Sequence, residues 1–313
     1  MTPPSSAPPE PAWEGMHPPQ IVWDPRERYV ATVEHEGPFN AQSDADASVA
    51  DRRPRLRVYE VGGKKRVFEG EGLALAMLGD PPVLLIDGAP LQEWNFLSGT
   101  TAVSRLAPFV PPGATVCVGY EARHMLIADG KGAITIKTAA GAPVELDTGS
   151  VVDPEVAQYC RFSADGTRLA IADAKMVGVF RLRDGRFTRE RWFLASNASA
   201  LQFGVDGRYV TARVDGSRDG EDSGFVAFDT ATGVLYATWR YGLSGLTAKN
   251  EVVFRDSHDD WFVYALSGAA ISGRARGTMG SRVHALEVSP RGTYAATVVG
   301  NWGNASLDLH DLR

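Results

Sequence analysis

His258-Asp259-Asp260, within RDSHDDWF, is the most metal-like cluster in the chain. An imidazole beside two carboxylates could ligate zinc, but consecutive residues of a strand point to opposite faces, so the three converge only on a loop. A solvated turn is the simpler expectation. Asp44, Asp46 and Ser48 set oxygen ligands at alternate positions, as a calcium loop begins. Val49 then stands where that loop needs glycine, and Arg55 where it needs a bidentate glutamate. The chain has no nucleophile elbow, no glycine-rich phosphate loop and no His-Glu-x-x-His pair. The histidines His17, His35, His124, His258, His284 and His310 fall at unrelated places. The sequence therefore predicts no catalytic residues, no metal and no cofactor. Cys117 and Cys160 are too few to scaffold a chain of 313 residues and read as separate small buried hydrophobes.

A second kind of chemistry is recognition. Residues 214 to 223 bring together Arg218, Asp219, Glu221 and Asp222, and the segment GNWGNAS displays Trp302 beside Asn301 among glycines and asparagines. Charge mixed with one large aromatic anchor is the composition of a protein interface centre. With His258, these residues form the expected partner-binding set.

The elements that must position them repeat. CRFSADGTRLAIADA from Cys160, LQFGVDGRYVTARVDG from Leu201 and LEVSPRGTYAATVVG from Leu286 each carry an apolar stretch, an Asp-Gly-like turn and a second apolar stretch. The second stretches open at Tyr29, Val83, His124, Arg168, Tyr209, Glu251 and Tyr294, at spacings of 54, 41, 44, 41, 42 and 43. All but the first match the period of about 40 to 45 residues of four-stranded propeller blades, and an insertion between Glu36 and Arg55 accounts for the exception. Later strands in each unit turn at Gly62-Gly63, Asp184-Gly185 and Thr230 to Gly233. Second strands such as VLLI and LAIA are apolar on both faces, as stacked blades require, whereas the later strands carry charge suited to an outer rim. The last unit ends at its third strand, SLDLHDLR, so the N-terminus around 11 to 16 is expected to supply the fourth and close the ring.

These units resemble the WD40 superfamily and the related YVTN-type propeller repeats of bacterial proteins, chiefly through FSADGTRLAIA, FGVDGRYVTA and VSPRGTYAAT. The Gly-His pair of that family is missing, and Tyr59-Glu60, Phe228-Asp229 or His310-Asp311 replace its Trp-Asp ending. The family's Asp, His, Ser/Thr and Trp hydrogen-bond tetrad is therefore not carried over. The resemblance implies a rigid, usually non-catalytic platform whose loops bind other proteins.

The sequence thus predicts an all-β, seven-bladed β-propeller over 20–313, with 1–19 a Pro-rich segment that closes the last blade. Loops 37 to 54 and 214 to 223 both join second to third strands and so open on one face. With the Trp302 loop they form an arc over blades five, six, seven and one, facing a protein partner in a multi-protein assembly. A net charge of −6 without basic runs argues against nucleic acid. The longest apolar stretch is broken by Asp80, Pro81 and Pro82, which argues against membrane insertion. The N-terminus lacks a basic start and an apolar core, so the expected compartment is the cytoplasm. The competing functions are a propeller hydrolase or lyase using loop carboxylates near the central channel, and a small-ligand sensor.

Overall fold

The computed structural model describes residues 21–34, 54–112, 114–129, 133–147, 159–173, 175–195, 198–214, 224–240, 244–255, 260–267, 270–278, 283–299 and 306–312. Apart from two short 3-10 turns, at 107–109 and 120–122, its regular elements are strands. The first repeat holds β1 to β4, Ile21–Trp23, Tyr29–Glu34, Arg55–Glu60 and Lys65–Glu71. The second holds β5 to β8, Ala74–Leu78, Val83–Ile86, Gln92–Asn95 and Thr100–Val103. The third holds β9 to β12, Thr115–Val118, His124–Ala128, Ile134–Thr138 and Pro143–Asp147. The fourth holds β13 to β16, Tyr159–Phe162, Arg168–Ala172, Met176–Arg183 and Arg186–Leu194. Next come β17 to β20, Ala198–Phe203, Tyr209–Val214, Gly224–Asp229 and Leu235–Arg240, then β21 to β24, Ser244–Leu246, Glu251–Arg255, Asp260–Ser267 and Ala270–Thr278. The last repeat holds β25 to β27, Val283–Val288, Tyr294–Val299 and Ser306–Asp311. Within each repeat the strands pair antiparallel in chain order. Every position aligned in the sequence opens a second strand, from Tyr29 in β2 to Tyr294 in β26.

The turn after each first strand explains why the repeat is written as it is. In the fourth, fifth and last repeats, the amides of Gly166, Gly207 and Gly292 donate to the carbonyls three residues earlier. These glycines sit at φ of 71°, 68° and 69°, the left-handed region that a side chain disfavours. Glu27 and Asn250 hold the equivalent place in their repeats at φ of 60° and 56°, with the same bonds to Asp24 and Thr247. They are the substitutes for Asp-Gly.

Packing follows the apolar pattern. Second strands are buried almost throughout, as in β14 and β6, whereas outer strands such as β8 are exposed along their length. Apolar clusters fill the seams between neighbouring repeats. Leu126, Ile136, Phe162, Leu169, Phe180 and Phe187 join the third to the fourth, and Ile21, Trp23, Val30, Ala296 and Val298 join the first to the last. Burying such a side chain stabilises by about 1.5–3 kcal/mol. The first strands contact one another in a closed cycle, β1 to β5, β9, β13, β17, β21, β25 and back to β1.

Two features depart from a ring of equal sheets. β12 pairs parallel with β16 (Glu145↔Arg186, Leu146↔Phe187, Asp147↔Thr188), fusing the outer edges of the third and fourth repeats into one eight-stranded sheet. The cysteines also differ from the sequence expectation. Cys117 and Cys160 are bonded to each other, with Cα atoms 6.2 Å apart. The two positions are offset by one in their repeats, so Cys117 faces forward and Cys160 faces back across the same seam.

Candidate functional site

Among the described residues, a polar constellation lies at the centre of the ring, built from first strands and the turn behind one of them. Arg161 of β13 donates from Nη2 to the Tyr120 hydroxyl at 2.8 Å and to the Glu287 carboxylate of β25. Its guanidinium also lies over the Tyr120 ring, 5.5 Å from the centroid. Tyr120 is placed by the tight turn after β9, where Ala122 N–H donates to Gly119. Arg161 and Glu287 occupy the same place in their repeats, CRFS and LEVS, as does Gln202 in LQFG. One polar side chain at a fixed repeat position therefore comes to the axis from three different sheets.

Burial and pairing act on this group in opposite directions. Burial opposes charge on Arg161, but Glu287 and Tyr120 outweigh it and keep the guanidinium more firmly protonated than a free arginine. Burial pushes the Glu287 carboxyl above its ordinary value, against the pull of Arg161. The Tyr120 hydroxyl is likewise raised by burial. On one side of Arg161 lies a space of about 10 Å³ among Tyr120, Gln202, Leu246 and Ser289. On the other lies one of about 30 Å³ among Trp23, Met77, Gly119 and Tyr120. A single water needs roughly 10–15 Å³, so neither space admits a small organic molecule.

Around this plug the turns contact one another from sheet to sheet. Arg26 and Arg28 of the first repeat pair with Asp80 of the second. Arg123 donates to the Asp165 carbonyl at 3.5 Å, Asn250 to Asp206 at 3.2 Å, and Ala248 N–H to the Gly292 carbonyl at 3.1 Å. Glu27 joins the first repeat to the last, accepting from Arg291 N–H at 2.7 Å and from the Thr293 hydroxyl. Asp229, fully buried, accepts from Arg208 Nε at 3.1 Å and Nη2 at 2.7 Å. An Arg-Asp pair thus anchors the third strand to the second in this repeat.

The partner-binding residues expected from sequence, Arg218, Asp219, Glu221, Asp222, His258, Asn301 and Trp302, all lie outside the described residues, as does the closing segment 1–19. Among the described residues no group of three His, Cys, Asp or Glu side chains is placed to hold a metal. No helix there is long and apolar enough to cross a membrane. Sequence reasoning missed Arg161, Glu287 and Tyr120. The signal was a charged residue inside an otherwise apolar first strand, recurring at one repeat position.

No family model matches the chain, and no curated protein matches it. Solved structures do. The hydrazine synthase of Kuenenia stuttgartiensis superposes at a TM-score of 0.57 with 12% identity, over 99% of this chain and 98% of that one. The Cps50 (Swd1) β-propeller domain of Myceliophteria thermophila gives 0.57 and 9%, over 94% and 96%. The chain has the β-propeller fold. A chain of the mitotic checkpoint complex matches this propeller at 0.55 and 14%, over 95% and 86%. At these identities the likeness extends to the fold alone. The repeats are therefore blades, and the axial group of Tyr120, Arg161 and Glu287 lies where the propeller channel would otherwise open.

Proposed function

We propose that this propeller is a non-enzymatic protein-interaction scaffold of seven blades, its last blade completed by a strand from residues 11 to 16. Loops of blades five, six, seven and one face a protein partner in a multi-protein assembly, through Arg218, Asp219, Glu221, Asp222, His258, Asn301 and Trp302. The observation that carries this reading is the occupied axis. Arg161, Glu287 and Tyr120 fill the place where propellers that take small ligands need room, and the spaces beside them suit a water each. A hydrolase or lyase needs a carboxylate free to exchange a proton with substrate, and the axial carboxylate is committed to Arg161. Recognition then falls to the loops that depart from the repeat. The likeness to the Swd1 β-propeller domain and to a chain of the mitotic checkpoint complex supports this reading at the level of the fold.

The expected outcome is co-purification of one protein at fixed stoichiometry from host extract, abolished when Trp302 and Arg218 are both replaced by Ala. Undiminished capture by that double variant overturns the loop assignment. The compartment belongs to the same proposal. The Cys117–Cys160 pair fits an oxidising compartment better than the cytoplasm that the sequence suggested, because cytosolic thiols are kept reduced. Alkylating intact host cells before lysis separates the two: cysteines found blocked place the protein in the cytoplasm, and cysteines found protected place it outside.

A further inference from the structure

The turns between first and second strands share one face of the ring, because second-to-third connections leave from the other end of the same antiparallel strands. In six of these turns the fourth residue closes the turn through its N–H, at Glu27, Ala122, Gly166, Gly207, Asn250 and Gly292. The residue just before it therefore stands at one equivalent place in each blade. These residues are Arg26, Glu121, Asp165, Asp206, Lys249 and Arg291, and all are exposed. Two are neutralised where they stand, Arg26 by Asp80 and Glu121 by Arg123 at 3.0 Å. The other four, on blades four to seven, read Asp165, Asp206, Lys249, Arg291: two carboxylates and then two cations.

The local chemistry leaves these four charges available. Asp165 accepts from the Ser163 and Thr167 hydroxyls and from Thr167 N–H at 2.6 to 2.9 Å. Burial opposes its charge, but these neutral donors hold the carboxyl below its ordinary value. Asp206 accepts from Arg208 N–H at 2.9 Å and from the Asn250 amide at 3.2 Å. The guanidinium groups of Arg168 and Arg208 go instead to Glu190 and Asp229. Lys249 and Arg291 have no ion pair among the described residues, and Arg291 uses only its N–H, on the buried Glu27. Bonds between turns fix the spacing, from Asn250 to Asp206 across blades five and six and from Ala248 to Gly292 across six and seven. The residue preceding each charge is uncharged: Pro25, Tyr120, Ala164, Val205, Ala248 and Pro290. Three of them, Tyr120, Ala164 and Pro290, line the axial space. A largely apolar centre inside a charged rim is the layout of a protein interface.

We propose that this turn face docks on the same face of a second copy of the chain, about a two-fold axis lying in the face along the seam between blades five and six. That rotation reverses the blade order. Asp206 then meets Lys249 of the second copy and Asp165 meets its Arg291, and the symmetry repeats both pairs. A two-fold contact must be complementary to itself, and the order acid, acid, base, base meets that condition about this axis. No two like charges of the set face each other. A partner of uniform charge, such as a nucleic acid, meets as much repulsion here as attraction. The loop arc proposed to hold a protein partner leaves from the opposite face, so either assignment can fail without the other.

The test is sedimentation velocity on the full chain. Exposed ion pairs are individually weak and screened by salt. The wild type is therefore expected to form a reversible dimer at about 100 µM protein in roughly 20 mM salt, and to be monomeric in about 500 mM salt. Lys249→Glu with Arg291→Glu makes all four positions acidic without removing a described side-chain hydrogen bond. It should abolish the dimer and leave melting unchanged. Asp165→Lys with Asp206→Lys makes all four basic and should also be monomeric, whereas an equimolar mixture of the two variants should restore a one-to-one dimer. Trp302→Ala with Arg218→Ala should dimerise as the wild type does. A wild type that stays monomeric in low salt, a dimer that survives high salt or the Lys249→Glu, Arg291→Glu change, or a mixture of two folded variants that stays monomeric would each overturn the proposal. So would loss of the dimer in the Trp302→Ala, Arg218→Ala protein.

Discussion

The seam between the third and fourth blades and the seam between the last and first blades do the same job by different means. The first is tied at its inner end by the Cys117–Cys160 disulfide, at its outer end by the β12–β16 ladder, and between them by a cluster containing Phe162, Phe180 and Phe187. The second has, among the described residues, an apolar cluster around Trp23 and Val298, the Lys64 contact to the Leu309 carbonyl and the Glu27 lock on Arg291 and Thr293. Chain separation explains part of the contrast. The disulfide spans 43 residues and the Glu27 contact 264, a difference that adds about 1.6 kcal/mol to the loop-closure cost on a logarithmic scale. The neighbouring third and fourth blades are joined by a covalent bond and a shared ladder, whereas the described contacts between the last and first blades break without chemistry. Arg161 and Glu287 link the two regions, since one stands in the fourth blade and the other in the last.

Removing that link should have the largest effect. Glu287→Ala leaves Arg161 buried without its counter-charge and is expected to cost about 3–5 kcal/mol in urea unfolding, while the paired replacement Arg161→Met with Glu287→Leu should recover most of it. An undisturbed Glu287→Ala protein would separate the two seams entirely. Cys117→Ser should cost about 2–4 kcal/mol and bring the fused seam closer to the closing one. If instead the reduced and oxidised proteins melt together, the β12–β16 ladder carries that seam alone. Glu27→Ala should cost less, about 1–2 kcal/mol, because it removes two partly buried hydrogen bonds while alanine keeps the same left-handed backbone.

Acid gives the smallest and most selective effect. Burial opposes ionisation of Asp165 and Asp229, but hydrogen bonds from Ser163 and Thr167 to the one, and from Arg208 and Ala231 to the other, hold both carboxyls below their ordinary value. The unfolded chain therefore binds more protons, and the stability these groups add is present above about pH 4 and lost as pH falls through their depressed values. Asp165→Asn should flatten the acid limb of a melting-temperature profile, and an unaltered limb would discount the turn bonds.

The blade framework was legible because it is written locally. Tyr29, Val83, His124, Arg168, Tyr209, Glu251 and Tyr294 each open a second strand, and Asp184-Gly185 and Gly233 turn at positive φ where the sequence put turns. The ties between blades were less legible, since each depends on how distant repeats are phased. The cysteines pair because they are offset by one position in consecutive repeats, which turns their side chains toward each other. β12 and β16 meet because the two outer strands end up side by side with edges exposed, a placement set by the ring and absent from either strand's pattern. Arg161 and Glu287, 126 residues apart, needed the alignment of first strands rather than of second strands to be seen as partners.

The shared β12–β16 ladder has a mechanical consequence. A ring of separate blades can flex a little at each joint, but a ring with two blades welded along their rims concentrates its breathing in the remaining joints. An incoming protein that pries the circle open would therefore find the third and fourth blades moving as a single stiff plate, with the yielding joint between the last blade and the first.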